Sequence, residues 1–126
     1  MLRVAFVIQR YGNDFAGGSE AIAREIAEEM KKDWNITVFT TCAKDYRTWK
    51  NDYEEGECLV GGVKVVRFRV IRERDFESFS KFSYNPRTIS REDAEWFFEQ
   101  QGPMVPNLIQ HLEKVRDEFD VFVFFT

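Results

Sequence analysis

The segment between residues 4 and 41 constrains the fold more than any other part of the sequence. It begins with a continuous apolar run, Val4–Ile8, which is followed by a loop rich in glycine, asparagine and aspartate. Gly18–Lys32 then places isoleucine and methionine every four positions, with alanines beside them, which predicts an amphipathic helix. The short β-branched run Ile36–Thr41 predicts a second strand. A strand, a helix and a strand in this order form a βαβ unit with parallel strands.

Later segments extend this unit into an α/β domain. Residues 42–62 are polar and are predicted to form a long excursion, and Val63–Val70 is predicted to be the third strand. Two helices are predicted at residues 90–101 and 106–119, with a Gly-Pro break between them. The final run, Val121–Phe125, has five large apolar residues, which is typical of a central parallel strand. The sequence therefore predicts a Rossmann-like parallel sheet flanked by helices.

The final apolar run also bears on domain organisation. At 126 residues, 44% of them hydrophobic, the chain suits one domain with a sizeable core. A central strand needs cover on both faces and a partner at each edge, because free edges promote aggregation. We therefore expect residues 1–126 to be an incomplete N-terminal domain of a longer protein. We also expect the isolated chain to self-associate through this last strand.

Composition and charge exclude several classes of function. Eighteen basic and 22 acidic residues give a formal net charge of −4, which argues against a general nucleic-acid-binding protein. No apolar run approaches the roughly 18 residues that a transmembrane helix needs, and the first residues do not resemble a signal peptide. The two cysteines, Cys42 and Cys58, lack the spacing of a metal site or a disulfide scaffold. We expect a cytoplasmic protein with reduced thiols and no metal site.

The loop before the first helix carries most of the functional information. Gly12 and Gly17 have the spacing of a P-loop, but Gly18 replaces the lysine that neutralises the phosphates, which argues against an NTPase. The dinucleotide fingerprint is absent, so a nucleotide-dependent oxidoreductase is the least favoured class. Gly17 and Gly18 still open a helix, where free N–H groups attract anions and missing Cβ atoms allow a ligand close to the backbone. The competing interpretation is a glycine pair that serves only the strand-to-helix turn.

Several of these segments resemble one enzyme family. The run R-V-A-F-V-I, a loop ending in Gly17-Gly18-Ser19-Glu20, the helix A-x-x-I-A-x-E-M and the strand I-T-V-F-T-T follow one another. This order is similar to the start of GT-B-fold glycosyltransferases, and it most resembles the retaining family-four (group 1) enzymes. Later segments agree, so that the similarity covers essentially the whole chain as a loose pattern. The resemblance identifies the chain as the N-terminal domain of a two-domain GT-B fold.

The resemblance implies that two domains bind different substrates. In that family the N-terminal domain mainly binds the acceptor, and its Gly-Gly loop faces the donor diphosphate or sugar. Donor contacts are therefore implied for Gly17, Gly18 and Ser19. The C-terminal domain, none of which is present here, holds most nucleotide contacts and a pair of glutamates. The full enzyme would transfer a hexose from a nucleotide-sugar to a sugar or glycan acceptor, with no cofactor and no obligatory metal.

The resemblance leaves the catalytic residues unassigned. Many members of the family carry a histidine where this sequence has Val123–Thr126. The single histidine of this chain, His111, flanks the apolar stripe of the last predicted helix without a catalytic partner nearby in the sequence. Cys42 is interpreted as structural, because a reactive thiol requires a depressed pKa. We expect the isolated chain to be inactive.

Residues 67–91 form the candidate acceptor segment. They contain seven basic and three acidic residues, a local net charge of +4, with aromatic residues interleaved. Arginine binds phosphate or carboxylate through a fork of N–H groups, and aromatic faces stack on sugar rings. Acceptor contacts are predicted for four residues: Arg72, Arg74, Tyr84 and Arg87. The competing interpretation is a solvated loop whose phenylalanines pack into the domain.

A function of a different class also fits the sequence. A non-catalytic, flavodoxin-like module would bind a phosphorylated ligand at the helix N-terminus that Gly17 and Gly18 open. Such a module would not require a second domain. Binding of a phosphate ligand by this chain alone would favour the module, whereas donor binding only in the presence of downstream polypeptide would favour the transferase.

Overall fold

A five-stranded sheet organises the protein in the computed structural model, which describes residues 1–83 and 85–126. Within these residues the sheet is accompanied by four α-helices and one 3₁₀ turn. The elements in chain order are β1 (Leu2–Val7), α1 (Gly18–Met30), β2 (Trp34–Thr41), β3 (Gly56–Val60), β4 (Val63–Phe68), α2 (Phe76–Ser80), α3 (Arg91–Gln101), α4 (Pro106–Lys114), the 3₁₀ turn (Arg116–Glu118) and β5 (Val121–Phe124).

The strand order is β3-β4-β2-β1-β5. β1 pairs in parallel with β2 on one side and with β5 on the other, and β4 pairs in parallel with β2. Only β3 runs antiparallel, against β4. The predicted α/β, Rossmann-like class with a mostly parallel sheet is therefore confirmed. The chain moves outward from β1 to β4 and then returns to β5, so a topological switch point lies between β1 and β5.

Helices cover both faces of the sheet. α1 packs on the face that carries Val4 and Phe6, and α4 packs on the opposite face beside Phe39. The buried side of α1 consists of alanine: Ala23 and Ala27 are fully buried, whereas the predicted apolar stripe contains isoleucines that are largely exposed. Small side chains allow the helix axis to approach the sheet closely, because protein interiors pack without voids.

Two elements lie in segments where the sequence predicts no regular structure. β3 falls in the predicted excursion at residues 42–62, and α2 falls in the segment before α3 that has no clean period. β3 lacks a strand signal because three of its five side chains are exposed at the sheet edge. It joins β4 through Gly61 and Gly62, whose φ angles of +57° and +77° suit a tight hairpin turn.

β5 lies at the edge of the described sheet rather than in the covered central position that its composition indicates. Phe124 is 65% exposed, and Val121 is 40% exposed. Val123 and Phe125 pack against the core on the α1 face, and Phe125 lies 5.0 Å from the ring of Phe6. The predicted self-association through this strand stays a prediction.

A charged clamp fixes the amino ends of β1 and β5. The backbone N–H of Arg3 donates to Oδ2 of Asp120, and Nη2 of Arg3 donates to Oδ1, each over 2.8 Å. The backbone N–H of Asp120 in turn donates to the carbonyl of Arg3 over 2.8 Å. These hydrogen bonds, led by that from the Arg3 side chain, lower the pKa of Asp120 to about 2. The clamp therefore sets the register in which β5 joins the sheet.

The clamp predicts a pH-dependent contribution to stability. A carboxyl whose pKa is lower in the folded state stabilises the protein above its ordinary pKa, and this contribution is lost as the pH falls through the folded value. We expect Asp120→Asn to lower the melting temperature at pH 7, and the difference from the wild type to shrink between about pH 4 and pH 2. Asp117→Asn on the 3₁₀ turn is the matched control. Equal pH profiles for both variants would contradict the clamp.

Candidate functional site

A cleft opens at the carboxyl edge of the sheet, at the switch point between β1 and β5. Its volume is about 300 Å³, and it lies between the ends of these two strands and the segment that joins α3 to α4. Most of its lining is apolar, including Ile8, Pro103 and Phe124, while Thr41 and Thr126 contribute hydroxyl groups. Ligands of open α/β sheets bind at this position, because the strand ends on either side diverge there.

The two glycines that open α1 differ in what the fold requires of them. Gly18 has a φ of +73°, a conformation that side-chain-bearing residues rarely adopt, so the turn itself needs glycine there. Gly17 is the N-cap residue and is extended, with φ −155° and ψ −177°. A Cβ added at Gly17 would meet nothing within 4 Å. The turn therefore requires glycine at position 18, whereas at position 17 glycine suits the N-cap but is not required by the backbone conformation.

An ion pair occupies the start of α1. Nε and Nη2 of Arg10 donate to Oε1 of Glu20 over 3.0 and 2.5 Å, and Nη1 of Arg10 donates to the carbonyl of Lys44. The Glu20 carboxylate also lies beside Gly18, since a Cβ there would be 3.0 Å from Oε2. A carboxylate in the first turn is stabilised by the helix dipole. An anionic ligand would therefore meet Glu20 at this helix end, with Arg10 as the nearest paired cation.

A second cavity, which we call the Arg67 cavity, lies under the loop that follows β1. It has a volume of about 440 Å³ and is lined by Gly12, Asn13, Asp14, Tyr53, Glu54, Cys58, Val60 and Arg67. Arg67 is 4% exposed, and its guanidinium lies 3.9 Å from the centre of the Tyr53 ring. Its Nη1 donates to the carbonyl of Thr41 over a long 3.4 Å.

The rim of the Arg67 cavity carries a hydrogen-bonded carboxylate. The hydroxyl of Tyr53 donates to Oδ2 of Asp14, and Nζ of Lys44 lies 3.5 Å from Oδ1. The hydrogen bond from Tyr53 is the largest cause that lowers the pKa of Asp14. Desolvation, followed by the hydrogen bond to Asp14, raises the pKa of Tyr53 to about 12. Near neutral pH, Tyr53 is therefore a donor and Asp14 is an ionised acceptor.

The predicted acceptor residues fall in different environments. Arg74 is buried: Nε donates to the carbonyl of Gln100 over 2.7 Å, and Nη2 donates to that of Gln101. Its guanidinium lies 5.0 Å from the centre of the Trp49 ring, and desolvation lowers its pKa. Arg74 thus holds the end of α3 against the segment that precedes β3, and its donors face backbone rather than a ligand.

The other predicted acceptor residues do not converge on one site. Arg72 is exposed and forms an ion pair with Glu99, and Arg87 is exposed. Tyr84 lies outside the described residues. The phenylalanines of this segment pack against α3, with Phe79 5.3 Å from Phe97 and Phe82 5.2 Å from Trp96 between ring centres. This packing of Phe79 and Phe82 agrees with the alternative interpretation, in which the phenylalanines of the segment pack into the domain.

Two further residues considered in the sequence analysis, His111 and Cys42, pack within the domain. His111 is half-buried, with its ring 5.5 Å from that of Phe39 and 5.2 Å from that of Phe68. Cys42 is buried, and burial is the main cause that raises the pKa of its thiol. Both observations agree with the structural interpretation of these residues.

The described part of the chain contains neither a candidate membrane span nor a candidate metal cluster. No helix within residues 1–83 and 85–126 has the length and apolar character to cross a membrane. In the same residues, no group of three or more histidine, cysteine, aspartate or glutamate side chains has an arrangement that could hold a metal ion.

Comparison with known proteins gave no relative. No protein-family model, no curated protein and no solved structure matches this chain. A functional proposal must therefore depend on the resemblance of the sequence segments and on the geometry of the carboxyl edge.

The principal residue that sequence reasoning missed is Arg67. A signal was available, because Val63, Val65 and Arg67 alternate along β4 and therefore share one face. The first two are buried, so the third had to lie at the buried face as well. Arg10 was missed for a different reason, since its pairing with Glu20 depends on how the loop folds back over α1.

The different environments of Arg74 and Arg72 predict different effects on stability. Arg74→Gln removes hydrogen bonds from a buried charged group, and we expect it to lower the free energy of unfolding by about 2–3 kcal/mol. Arg72→Gln, two residues away, breaks only an exposed ion pair and should cost less than about 1 kcal/mol. Urea unfolding of both variants measures the difference. Equal losses would contradict the structural role of Arg74.

Proposed function

We propose that this chain is the acceptor-side domain of a GT-B-fold glycosyltransferase that transfers a hexose from a nucleotide-sugar to an acceptor. The observation that carries the proposal is Gly17: an extended N-cap glycine that the turn does not require, at the carboxyl edge of a Rossmann-like sheet. A residue without a side chain at this place allows a donor diphosphate or sugar to approach the backbone. The resemblance of the flanking segments supports the same assignment.

The proposed donor contacts come from Gly17, Gly18 and Ser19 at the start of α1. Arg10 lies at the same edge and is the cation nearest to this helix end in the described ion pairs. In this proposal a second α/β domain holds the nucleotide, and the diphosphate lies between the two domains. Catalysis then consists of positioning the reactants and of stabilising the charge of the leaving diphosphate.

The cleft at the switch point between β1 and β5 and the Arg67 cavity are the proposed binding places for the acceptor. Both open at or beside the carboxyl edge, and their combination of apolar walls, hydroxyl groups and carboxylates suits a polyol. The two free cysteines agree with a reducing compartment, so we propose a cytoplasmic location.

A flavodoxin-like module that holds a phosphate at α1 alone is less well supported. The Glu20 carboxylate lies against Gly18, where the phosphate of such a ligand would bind. Two like charges at this distance repel, and Arg10 is already paired with Glu20. In the proposed transferase, a second domain also binds the nucleotide-sugar donor, so donor binding does not depend on this helix end alone.

Substitution of Gly17 tests the proposal without disturbing the turn. An added side chain at Gly17 enters open space, and valine favours the extended conformation, so Gly17→Val should fold. We expect it to lower kcat/KM for hexose transfer at least about tenfold in the product of the complete reading frame, because the side chain blocks the donor. Release of UDP or GDP from the nucleotide-sugar in the presence of acceptor is the readout.

Two controls make this test specific. Gly17→Ser is the matched variant, since serine caps helices well and is smaller than valine, and it should retain more activity. Residues 1–126 alone should show no transfer. The proposal fails if Gly17→Val folds and transfers hexose as fast as the wild type, or if residues 1–126 transfer hexose without further polypeptide.

A further inference from the structure

The strongest unexplained feature of the molecule is the buried guanidinium of Arg67. β4 places Val63, Val65 and Arg67 on the face covered by α1, and all three are at most 4% exposed. On that face the neighbour of Arg67 in β3 is Gly56, which has open space where a side chain would be. The guanidinium of Arg67 is therefore buried, but no side chain of β3 covers it on the side of Gly56.

Among the described residues, Arg67 has fewer side-chain partners than a buried arginine normally has. A guanidinium has five N–H donors, and charged side chains are almost never fully buried without a paired counterion. In residues 1–83 and 85–126, no carboxylate lies within 4.0 Å of Arg67, and the one hydrogen bond of its guanidinium is the long contact with the Thr41 carbonyl. The Tyr53 ring face adds a cation–π contact. Most of the hydrogen-bonding capacity of Arg67 is therefore unused.

Asp14 forms no direct ion pair with Arg67, although the charge of Arg67 is the least of the causes that lower the pKa of Asp14. Its carboxylate accepts from the Tyr53 hydroxyl and lies near Lys44, outside ion-pair distance of Arg67. Asp14 thus has its own cation, and the charge of Arg67 stays available at the floor of the cavity.

Two neutral polar groups on the same face also lack partners in the described residues. They are the hydroxyls of Tyr11 and Thr40, in residues that are both 0% exposed. Thr40 is the register partner of Arg67 on β2, so their side chains share one face. Tyr11 belongs to the same buried cluster as Val63 and Val65, the β4 residues that share this face with Arg67. Unpaired buried hydroxyls are rare. Neither Tyr11 nor Thr40 is among the described residues that line the Arg67 cavity, so the polar group of this cluster that faces the cavity is the guanidinium of Arg67.

The Arg67 cavity provides space above this cation. Gly12 keeps it open, because a Cβ there would lie 2.8 Å from the Tyr53 hydroxyl and 3.5 Å from Nη2 of Arg67. Nη1 of Arg24 donates to the Gly12 carbonyl over 3.2 Å and holds the loop in place. The cavity thus has a cation at its floor and the Asp14 and Glu54 carboxylates at its rim.

We propose that the Arg67 cavity binds a sugar or related polyol that carries one anionic group. The guanidinium of Arg67 binds the phosphate or carboxylate through its free N–H donors, and the carboxylates at the rim accept hydrogen bonds from the hydroxyl groups. A neutral sugar leaves the buried cation unpaired, and inorganic phosphate leaves the rim unused. Identification of this ligand as the acceptor rests on the proposed function, whereas the binding itself does not.

Calorimetric titration of the chain with four probes tests the proposal. The probes are glucose 6-phosphate, glucuronate, glucose and inorganic phosphate. We expect glucose 6-phosphate or glucuronate to bind at least about tenfold more tightly than glucose and than inorganic phosphate. The stronger of the two identifies the anionic group. Equal or weaker binding of both anionic sugars relative to glucose would overturn the proposal.

Variants locate the binding in the Arg67 cavity. Arg67→Gln should weaken binding of the anionic sugar at least about tenfold, and Arg67→Lys should weaken it less, because lysine keeps the charge without the fork. Lys64→Gln is the matched control: it removes one positive charge from the same strand on its exposed face, and it should not change the affinity. Equal losses for Arg67→Gln and Lys64→Gln would mean a non-specific charge effect and would refute the site.

A variant that keeps Arg67 guards against a folding defect. If circular dichroism shows that Arg67→Gln does not fold, Gly12→Ala decides, since its methyl group displaces Tyr53 and narrows the cavity without a change of charge. Loss of binding in a folded Gly12→Ala protein supports the site, and unchanged affinity refutes it. Tight binding of an anionic sugar without hexose transfer by the complete reading-frame product would support this site and contradict only the proposed transferase.

Discussion

Pairing of β1 with parallel neighbours on both sides is the constraint on which the rest of the structure depends. Because β2 and β5 both run parallel to β1, the carboxyl ends of these strands meet at one edge. The chain reaches β5 only after crossing back from β4, which opens the cleft beside the end of β1. The loop after β1 starts at that cleft, and it carries the residues that define both the start of α1 and the Arg67 cavity.

Electrostatics distinguishes two parts of this edge. At the start of α1 the charges are already balanced, since Arg10 pairs with Glu20. In the Arg67 cavity the buried guanidinium has no carboxylate within ion-pair distance in the described residues, although Asp14 and Glu54 line the same cavity. Buried charges are costly when unpaired, so the second arrangement is more informative about a ligand than the first. The loop after β1 connects the two parts, because it carries both Arg10 and the cavity residues Gly12 and Asp14.

Much of the fold was predictable from the sequence, because its signals are local. The apolar run at Val4–Ile8 and the periodicity of residues 18–32 each reflect which side chains a strand or a helix buries, and this can be read within one short segment. β3 was not predictable, since an exposed edge strand has no apolar alternation. The contact face of α1 was predicted only in part: the predicted stripe includes the buried Ala23, but it also includes Ile22, whose exposure depends on how closely the sheet approaches.

The candidate site was less predictable than the fold. The sequence locates Gly17 and Gly18, but it cannot separate the glycine that the turn needs from the one that it does not. It treats Arg67, Arg72 and Arg74 as one basic segment, although the first is buried in a cavity and the third is bound to backbone. These differences come from partners far away in the chain, such as Gln100.

Both proposals put the ligand-binding side of the protein at the carboxyl edge of this sheet. The most direct measurement is an amide NMR titration of the chain with glucose 6-phosphate. If this edge binds ligands, we expect chemical-shift changes in the loop at residues 11–14, near Tyr53 and at Arg67, with little change at Asp33 and Asp120 on the amino edge. Changes concentrated at the amino edge, or none at millimolar ligand, would contradict it.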